Sequence, residues 1–348
     1  MGLFTKAIAQ SDSILLPQTF QEELDSLIAQ NKVPGIIAAV IDGETIMDLA
    51  HAGIREFGKK ELIEKDDLFH IGSCTKAMTS YMLAQIVEEG KLSWESSFED
   101  VFPEWKDSVH ITYHSKTLHD FITHTAGVPA NARNWSAYPE DSMINRRSKL
   151  VLANLKKQAT DGHLYSNLGY MIAGHMAEKV TGKSWEDLMK ERLFEPLNMT
   201  SAGFGPPGIQ DTLLQPKGHT KSLFGKKWNS YYLDNDPALG PAGTVHCSIQ
   251  DWTKFIQAQF FEDENVADNF LLQPKLENYA SGWAVVERPW AKGTAYTHSG
   301  SNTVWLAVAW VAPNIDRAYL IMTNSFGQQT GVILDELVGR MINKYSDN

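Results

Sequence analysis

Phe20, Leu24, Leu27 and Ile28 recur at three- and four-residue spacing after Pro17, the apolar stripe of an amphipathic helix ending near Asn31. Two β-rich runs follow, Ile36-Ile37-Ala38-Ala39-Val40-Ile41 and Thr45-Ile46-Met47-Asp48-Leu49-Ala50. Asp42-Gly43 between them is a tight-turn signal, so the pair predicts an antiparallel hairpin. From Ser73 to Glu89 the chain is apolar on most sides and stops at Gly90, the pattern of a buried helix. Asn167 to Val180 predicts a helix closed by Gly182. Ser184-Trp185-Glu186-Asp187 has the form of a capping box ahead of a helix that stops before Pro196, and Ser248 opens another that carries Trp252, Phe255 and Ile256. Strand character returns at Gly282 to Val286, Thr303 to Val311 and Ala318 to Thr323, the last two joined by the turn Pro313-Asn314-Ile315-Asp316. A helix over Gly331 to Lys344 follows.

Strands at both ends with helices between them predict an α+β fold of two lobes. Residues 15–90 and 253–348 would build an antiparallel sheet flanked by helices, with the Ser73 helix at the lobe junction. Residues 91–252 would form an inserted, mainly helical lobe, and residues 1–14 a leader. No internal repeat or low-complexity tract suggests a bead-on-string arrangement.

Composition narrows the class of function. With 43% hydrophobic and 21% charged residues, the chain falls among ordinary globular proteins and away from disorder. Its 31 basic against 42 acidic residues give a formal charge of -11, which disfavours nucleic acid as a partner and favours small molecules. Cys74 and Cys247 are too few for a stapled scaffold and read as free thiols. No apolar run reaches the ~20 residues of a membrane helix. Met1 to Gln10 lacks the apolar stretch of a secretory signal, which favours a cytoplasmic location; the alternative is a periplasmic or secreted protein whose signal was trimmed at Ala7-Ile8-Ala9.

Candidate chemistry concentrates in three places. Ser73-Cys74-Thr75-Lys76 is an S-x-x-K at the head of the apolar helix. Residues three apart share a helix face, so the Lys76 amine can reach the Ser73 hydroxyl. A lysine in apolar surroundings loses proton affinity and can serve as base. Tyr165-Ser166-Asn167 supplies a phenol to share the proton and an amide to orient lysine and substrate. His298-Ser299-Gly300-Ser301 precedes a strand, and its small residues let a substrate lie along the strand edge with a backbone N–H left for an oxyanion. Rival motifs are weaker. His110, His114, His119 and His124 lack H-E-x-x-H, and Ile111-Thr112-Tyr113 favours strand over the helix a metal pair needs, so neither metal nor organic cofactor is expected. G-x-S-x-G is absent, and Cys74 sits one step round the helix from Ser73, pointing into packing.

In this order the motifs resemble the serine β-lactamase and penicillin-binding-protein superfamily, in its class C-like branch with D-aminopeptidases, D,D-carboxypeptidases and carboxylesterases. The resemblance extends over nearly the whole chain. It includes Phe69-His70-Ile71-Gly72 ahead of the serine, and Leu118 to Gly127, similar to the branch's "LLxHTSG". Glu195-Pro196-Leu197-Asn198-Met199 is similar to "PLGM", Pro241-Ala242-Gly243 to "PAGG" and Leu320 to Asn324 to the final "LTN" strand. The resemblance implies Ser73 as acylated nucleophile, Lys76 and Tyr165 as the proton-transfer pair, Asn167 as supporting amide, and the Ser73 and Ser301 amides as oxyanion hole. His298, Ser299 and Gly300 would bind substrate along the strand.

One departure bears on substrate. His298-Ser299-Gly300 stands where class C β-lactamases carry Lys-Thr-Gly, and histidine is largely neutral at pH 7. The substitution removes a fixed cation that would hold a β-lactam carboxylate. Esters and short D-amino-acid amides therefore stand beside lactams as expected substrates of a serine hydrolase. The alternatives are a D-aminopeptidase or D,D-carboxypeptidase type of peptidase, and a penicillin-binding sensor that acylates without turnover. The oligomeric state is left open.

Overall fold

The computed structural model describes residues 19–222, 227–262, 269–276 and 278–345; the expected leader, residues 1–14, lies outside them. Seven strands form one antiparallel sheet: β1 (Gly35–Asp42), β2 (Thr45–Gly53), β3 (Tyr279–Ala280), β4 (Trp283–Arg288), β5 (Gly293–Ser301), β6 (Leu306–Ala312) and β7 (Arg317–Thr323). Their spatial order is β2-β1-β7-β6-β5-β4-β3. The two ends of the chain meet at the β1–β7 ladder, where Ile37 pairs with Met322 and Ala39 with Leu320.

Both faces of this sheet are covered, which explains why β1 is apolar at nearly every position. Ile36, Ala38 and Val40 point to one face, with Tyr319 and Ile321 of β7. There α1 (Phe20–Ala29) and the terminal helix Gln328–Tyr345 contribute Phe20, Leu24, Leu334 and Leu337. Ile37, Ala39 and Ile41 point to the other face, where α2 (Thr75–Glu88) brings Met78 and Met82 and the helix Ile249–Phe260 brings Trp252 and Ile256. Alternation along each strand thus sorts one continuous run between two cores.

Helix α2 is buried nearly all round, so its polar side chains need internal partners. Thr79 Oγ1 donates to the Pro241 carbonyl at 2.8 Å, and Thr75 Oγ1 accepts from the Val245 amide at 3.1 Å. Both contacts hold the Pro241–Val245 segment against the helix. A second tie comes from Arg147, which is fully buried. Its guanidinium meets Glu178 at 2.5 Å and Glu186 at 2.6 Å and donates to the Pro237 and Ala238 carbonyls.

Two expectations are corrected. Ile111–Tyr113 is a 3-10 turn and not a strand; the His110 ring accepts from the Thr112 amide at its head, a local bond that outcompetes β propensity. His298 to Ser301 do not precede the strand but lie on one, β5, which the hydrophobic pattern missed, and the following strand starts at Leu306, not Thr303. The segment Gly293 to Ser301 is rich in glycine, serine and threonine, yet it is sandwiched between β4 and β6.

Removing one partner from a buried ion pair strands the other charge, at a cost of about 3–5 kcal/mol. Glu178 accepts from Arg147, His175 and the Trp185 amide. Urea unfolding of Glu178→Ala should therefore show a stability loss of about that size, whereas Lys149→Ala, which removes an exposed pair with Asp141, should cost about 1 kcal/mol or less.

Candidate active site

Ser73 does not sit on α2 itself. It occupies the 3-10 turn Gly72–Cys74 that feeds the helix, and Gly72 takes a left-handed φ of 50°. Lys76, one turn on, is completely buried. Its Nζ lies 3.2 Å from Ser73 Oγ, 2.7 Å from Asn167 Oδ1 and 2.7 Å from the Ala242 carbonyl. The last two atoms only accept hydrogen bonds. A neutral amine has two N–H groups, and with both engaged its lone pair faces the Ser73 hydroxyl. Burial lowers the Lys76 pKa from 10.5 to about 7, because the charged form loses its hydration.

The Y-x-N segment is held from below. Ser166 caps the helix Asn167–Thr181 by accepting from the Gly169 amide, and its hydroxyl donates to the Pro129 carbonyl. The Asn167 amide nitrogen donates to Asn131 Oδ1 at 2.9 Å, which fixes Oδ1 toward the lysine. The Tyr165 ring lies 4.8 Å from Lys76 Nζ, and Ser73 lies close enough to its hydroxyl to oppose part of the effect of burial on it. Burial raises the phenol pKa above its ordinary value. Tyr165 keeps 38% of its surface exposed, so water moderates the shift without reversing its direction. The phenol therefore holds its proton at neutral pH, and of the two groups it is Lys76 whose base form is accessible there.

β5 closes the site through backbone contact. A methyl group on Gly300 would lie 2.0 Å from the Ile71 carbonyl and 2.7 Å from the Ser73 amide nitrogen; one on Gly72 would lie 2.2 Å from the Ser301 amide nitrogen. Only glycines allow this approach, and it sets the Ser73 and Ser301 amides beside one another. His298 turns inward and is buried, with its ring 6.3 Å from that of Tyr165. Burial, and then the nearby Lys76, lower its pKa to about 3. Ser299, the next residue along the strand, is exposed and faces the other way. The Cys74 thiol packs 3.7 Å from the His298 carbonyl, and burial lifts its pKa to about 12, so it is an inert neighbour of the serine.

Ser73, Lys76, Tyr165, Asn167, His298, Gly300 and Ser301 thus come together, while the Ser299 side chain does not join them. A family model described as Beta-lactamase matches residues 18–339. The chain belongs to the beta-lactamase family. Among curated relatives, penicillin-binding protein 4 of Amycolatopsis lactamdurans is 24% identical over 92% of this chain and 89% of its own length. Unguisins hydrolase ungD' of Aspergillus campestris is 25% identical over 70% of this chain, which spans about half (47%) of that relative. The fold is that of D-amino acid amidase from Ochrobactrum anthropi, with a TM-score of 0.76, 18% identity and coverage of 94% and 98% of the two chains. It is likewise that of a class C beta lactamase from Rhodobacter sphaeroides, with a TM-score of 0.73, 18% identity and coverage of 92% and 98%.

Some groups of this beta-lactamase-family site were not singled out by sequence. The Ala242 carbonyl acts through its backbone and has no side-chain signature; its only signal was the similarity of Pro241-Ala242-Gly243 to a family motif. Asn131 gave no signal. His124, read as a discarded metal candidate and as part of the Leu118 to Gly127 similarity but given no role, packs 4.4 Å from the Tyr165 ring and accepts the Ser166 amide through Nδ1. Burial, then Lys76, His163 and His298, lower its pKa to about 2. At neutral pH both His124 and His298 are uncharged.

The contact between β5 and the Ser73 turn can be tested directly. Gly300→Ala must push the strand off Ser73, with an expected destabilisation of about 1–3 kcal/mol. The folded variant should expose Cys74 to a thiol reagent that leaves the native protein unmodified, as read by intact mass.

Proposed function

We propose that the protein is a serine hydrolase that works through an acyl-enzyme on uncharged carbonyl substrates, small esters first and compact amides second. The observation that carries this reading is the Lys76 amine, its two N–H groups taken by Asn167 Oδ1 and the Ala242 carbonyl and its remaining valence facing Ser73 Oγ. With a pKa of about 7, roughly half of the amine is free base at pH 7, against about one in a few thousand for an ordinary lysine. That difference supplies a base of the strength serine activation needs.

In the proposed cycle Lys76 takes the Ser73 proton as Oγ bonds to the substrate carbonyl carbon. The oxyanion is met by the Ser73 and Ser301 amides. As the tetrahedral adduct collapses, the bond to the leaving group breaks and Tyr165 gives that group its proton; the Lys76 ammonium reprotonates Tyr165. Water then adds to the acyl carbon, its proton passing to Lys76. Ser73 Oγ departs, recovers a proton through the same pair, and the acid leaves. Asn167 holds the lysine throughout.

The preference for uncharged substrates follows from the imidazoles. His298 occupies the place of a family lysine, and with its pKa at about 3 it contributes no charge at neutral pH. His124 contributes none either. A carboxylate entering beside them gains no charge from either imidazole to offset its lost hydration.

A panel of short p-nitrophenyl esters, a chromogenic cephalosporin and D-amino-acid amides separates the possibilities, with adducts followed by intact mass. Ester turnover is expected, rising as pH increases through about 7 because the neutral amine is the active form, and disappearing in Ser73→Ala. Full turnover in Ser73→Ala would refute the mechanism. Cephalosporin turnover well above ester turnover would refute the preference for uncharged substrates. A stoichiometric adduct without turnover would identify a sensor.

A further inference from the structure

Behind the two amides lies a carboxylate that the catalytic cycle does not use. Asp234 follows the strand Trp228–Tyr231, far in sequence from both Ser73 and Ser301, and its side chain is 8% exposed. Its Oδ1 lies 2.7 Å from His70 Nε2 and accepts from Asn302 Nδ2 at 2.9 Å. His70, completely buried, accepts the Gly72 amide through Nδ1 at 3.0 Å. An Nδ1 that accepts must be unprotonated, so the ring proton of the neutral form sits on Nε2, facing Asp234. The N–H does not lie along the line to the oxygen, so the contact is electrostatic and not a well-aligned hydrogen bond.

Each anchored residue adjoins one of the two amides. Gly72 immediately precedes Ser73 and takes a left-handed φ of 50°, and a methyl group on Gly300 of β5 would lie 2.7 Å from the Ser73 amide nitrogen. Asn302 immediately follows Ser301. Its Oδ1 accepts from the Val304 amide at 3.4 Å, and the intervening Thr303 is held at a φ of 77°. A β-branched residue adopts that conformation only when its surroundings impose it. The next residue after Asp234 extends the frame: Asn235 Nδ2 donates to the Gly243 carbonyl at 2.7 Å, one residue from the Ala242 carbonyl that holds Lys76.

We propose that Asp234 is a positioning residue for the oxyanion hole, its carboxylate joining the His70–Gly72 arm that carries the Ser73 amide to the Asn302 turn that carries the Ser301 amide. The inference rests on the reading of those amides as oxyanion donors. The carboxylate never meets the substrate. Its role is to keep the donors at the spacing a tetrahedral intermediate requires, so its removal should weaken transition-state binding and leave ground-state binding nearly untouched.

Asp234→Asn and Asp234→Ala test this in the full chain, with p-nitrophenyl acetate kinetics, inhibition by phenylboronic acid and thermal melting. A boronic acid forms a tetrahedral adduct on serine and so reports the hole rather than the substrate pocket. We expect kcat to fall roughly tenfold to a hundredfold, the boronate Ki to rise by a similar factor, and KM to stay within about twofold. His70→Asn, which keeps an acceptor near the Gly72 amide, should retain more activity than His70→Leu. Asp234→Asn serves if the alanine variant does not fold. An unchanged kcat in folded Asp234→Asn overturns the inference, as does a fallen kcat with unchanged boronate affinity. If the wild type acylates at Ser73 and the Asp234 variants match it, the inference fails alone. If the wild type forms no Ser73 adduct, the functional reading fails and takes the inference with it.

Discussion

A lysine amine kept dry is the interaction on which the site depends. Lys76 has no exposed surface, and its nitrogen meets two carbonyl oxygens and one hydroxyl but, among the described residues, no carboxylate. A carboxylate partner would have restored the charge and removed the base. Carbonyl oxygens satisfy the two N–H groups of a neutral amine without rewarding protonation to the same degree. The helix Asn167–Thr181 and the turn Gly240–Gly243 both pack against α2, and each delivers one of the two oxygens.

The second constraint is backbone proximity. Gly300 and Gly72 let β5 and the Ser73 turn approach until a single methyl group would collide with carbonyl or amide atoms. The approach depends on the sheet itself: β5 is fixed on one side by β4 and on the other by β6, and β6 pairs with β7, which pairs with β1. The two ends of the chain therefore hold the wall of a site whose proposed nucleophile, Ser73, sits on the turn that feeds α2. Arg147, buried among α-helices, works in the same direction by holding the Pro237 and Ala238 carbonyls ahead of the turn that offers Ala242.

Much of this was legible in the sequence where side chains carry the information. The helix at Phe20, the hairpin around Asp42-Gly43 and the buried helix after Ser73 follow from periodicity and turn chemistry, and the S-x-x-K and Y-x-N spacings bring Ser73, Lys76, Tyr165 and Asn167 together. Legibility failed where backbone atoms or small residues do the work. β5 has too few large apolar residues to register as a strand: its buried positions are Ala295, Tyr296, His298 and Gly300, of which Tyr296 alone is a large hydrophobic side chain. The Ala242 carbonyl and the amides of Ser73 and Ser301 have no residue-type signature. Asn131, Asp234 and Asn302 act across distant segments, and no local pattern joins them. The upward shift of Tyr165 also bears on the proposed division of labour: a phenol that retains its proton is suited to donate, which in that reading leaves the resting base to Lys76.

The central claim is that Lys76 is substantially neutral near pH 7 in the folded protein, and it can be measured without reference to turnover. Lysine-labelled protein observed by NMR across a pH titration should show a side-chain resonance with a midpoint near 7, well below the ordinary lysine value of about 10.4, and absent from the spectrum of Lys76→Arg. A Lys76 resonance that titrates with the others would contradict the account at its root.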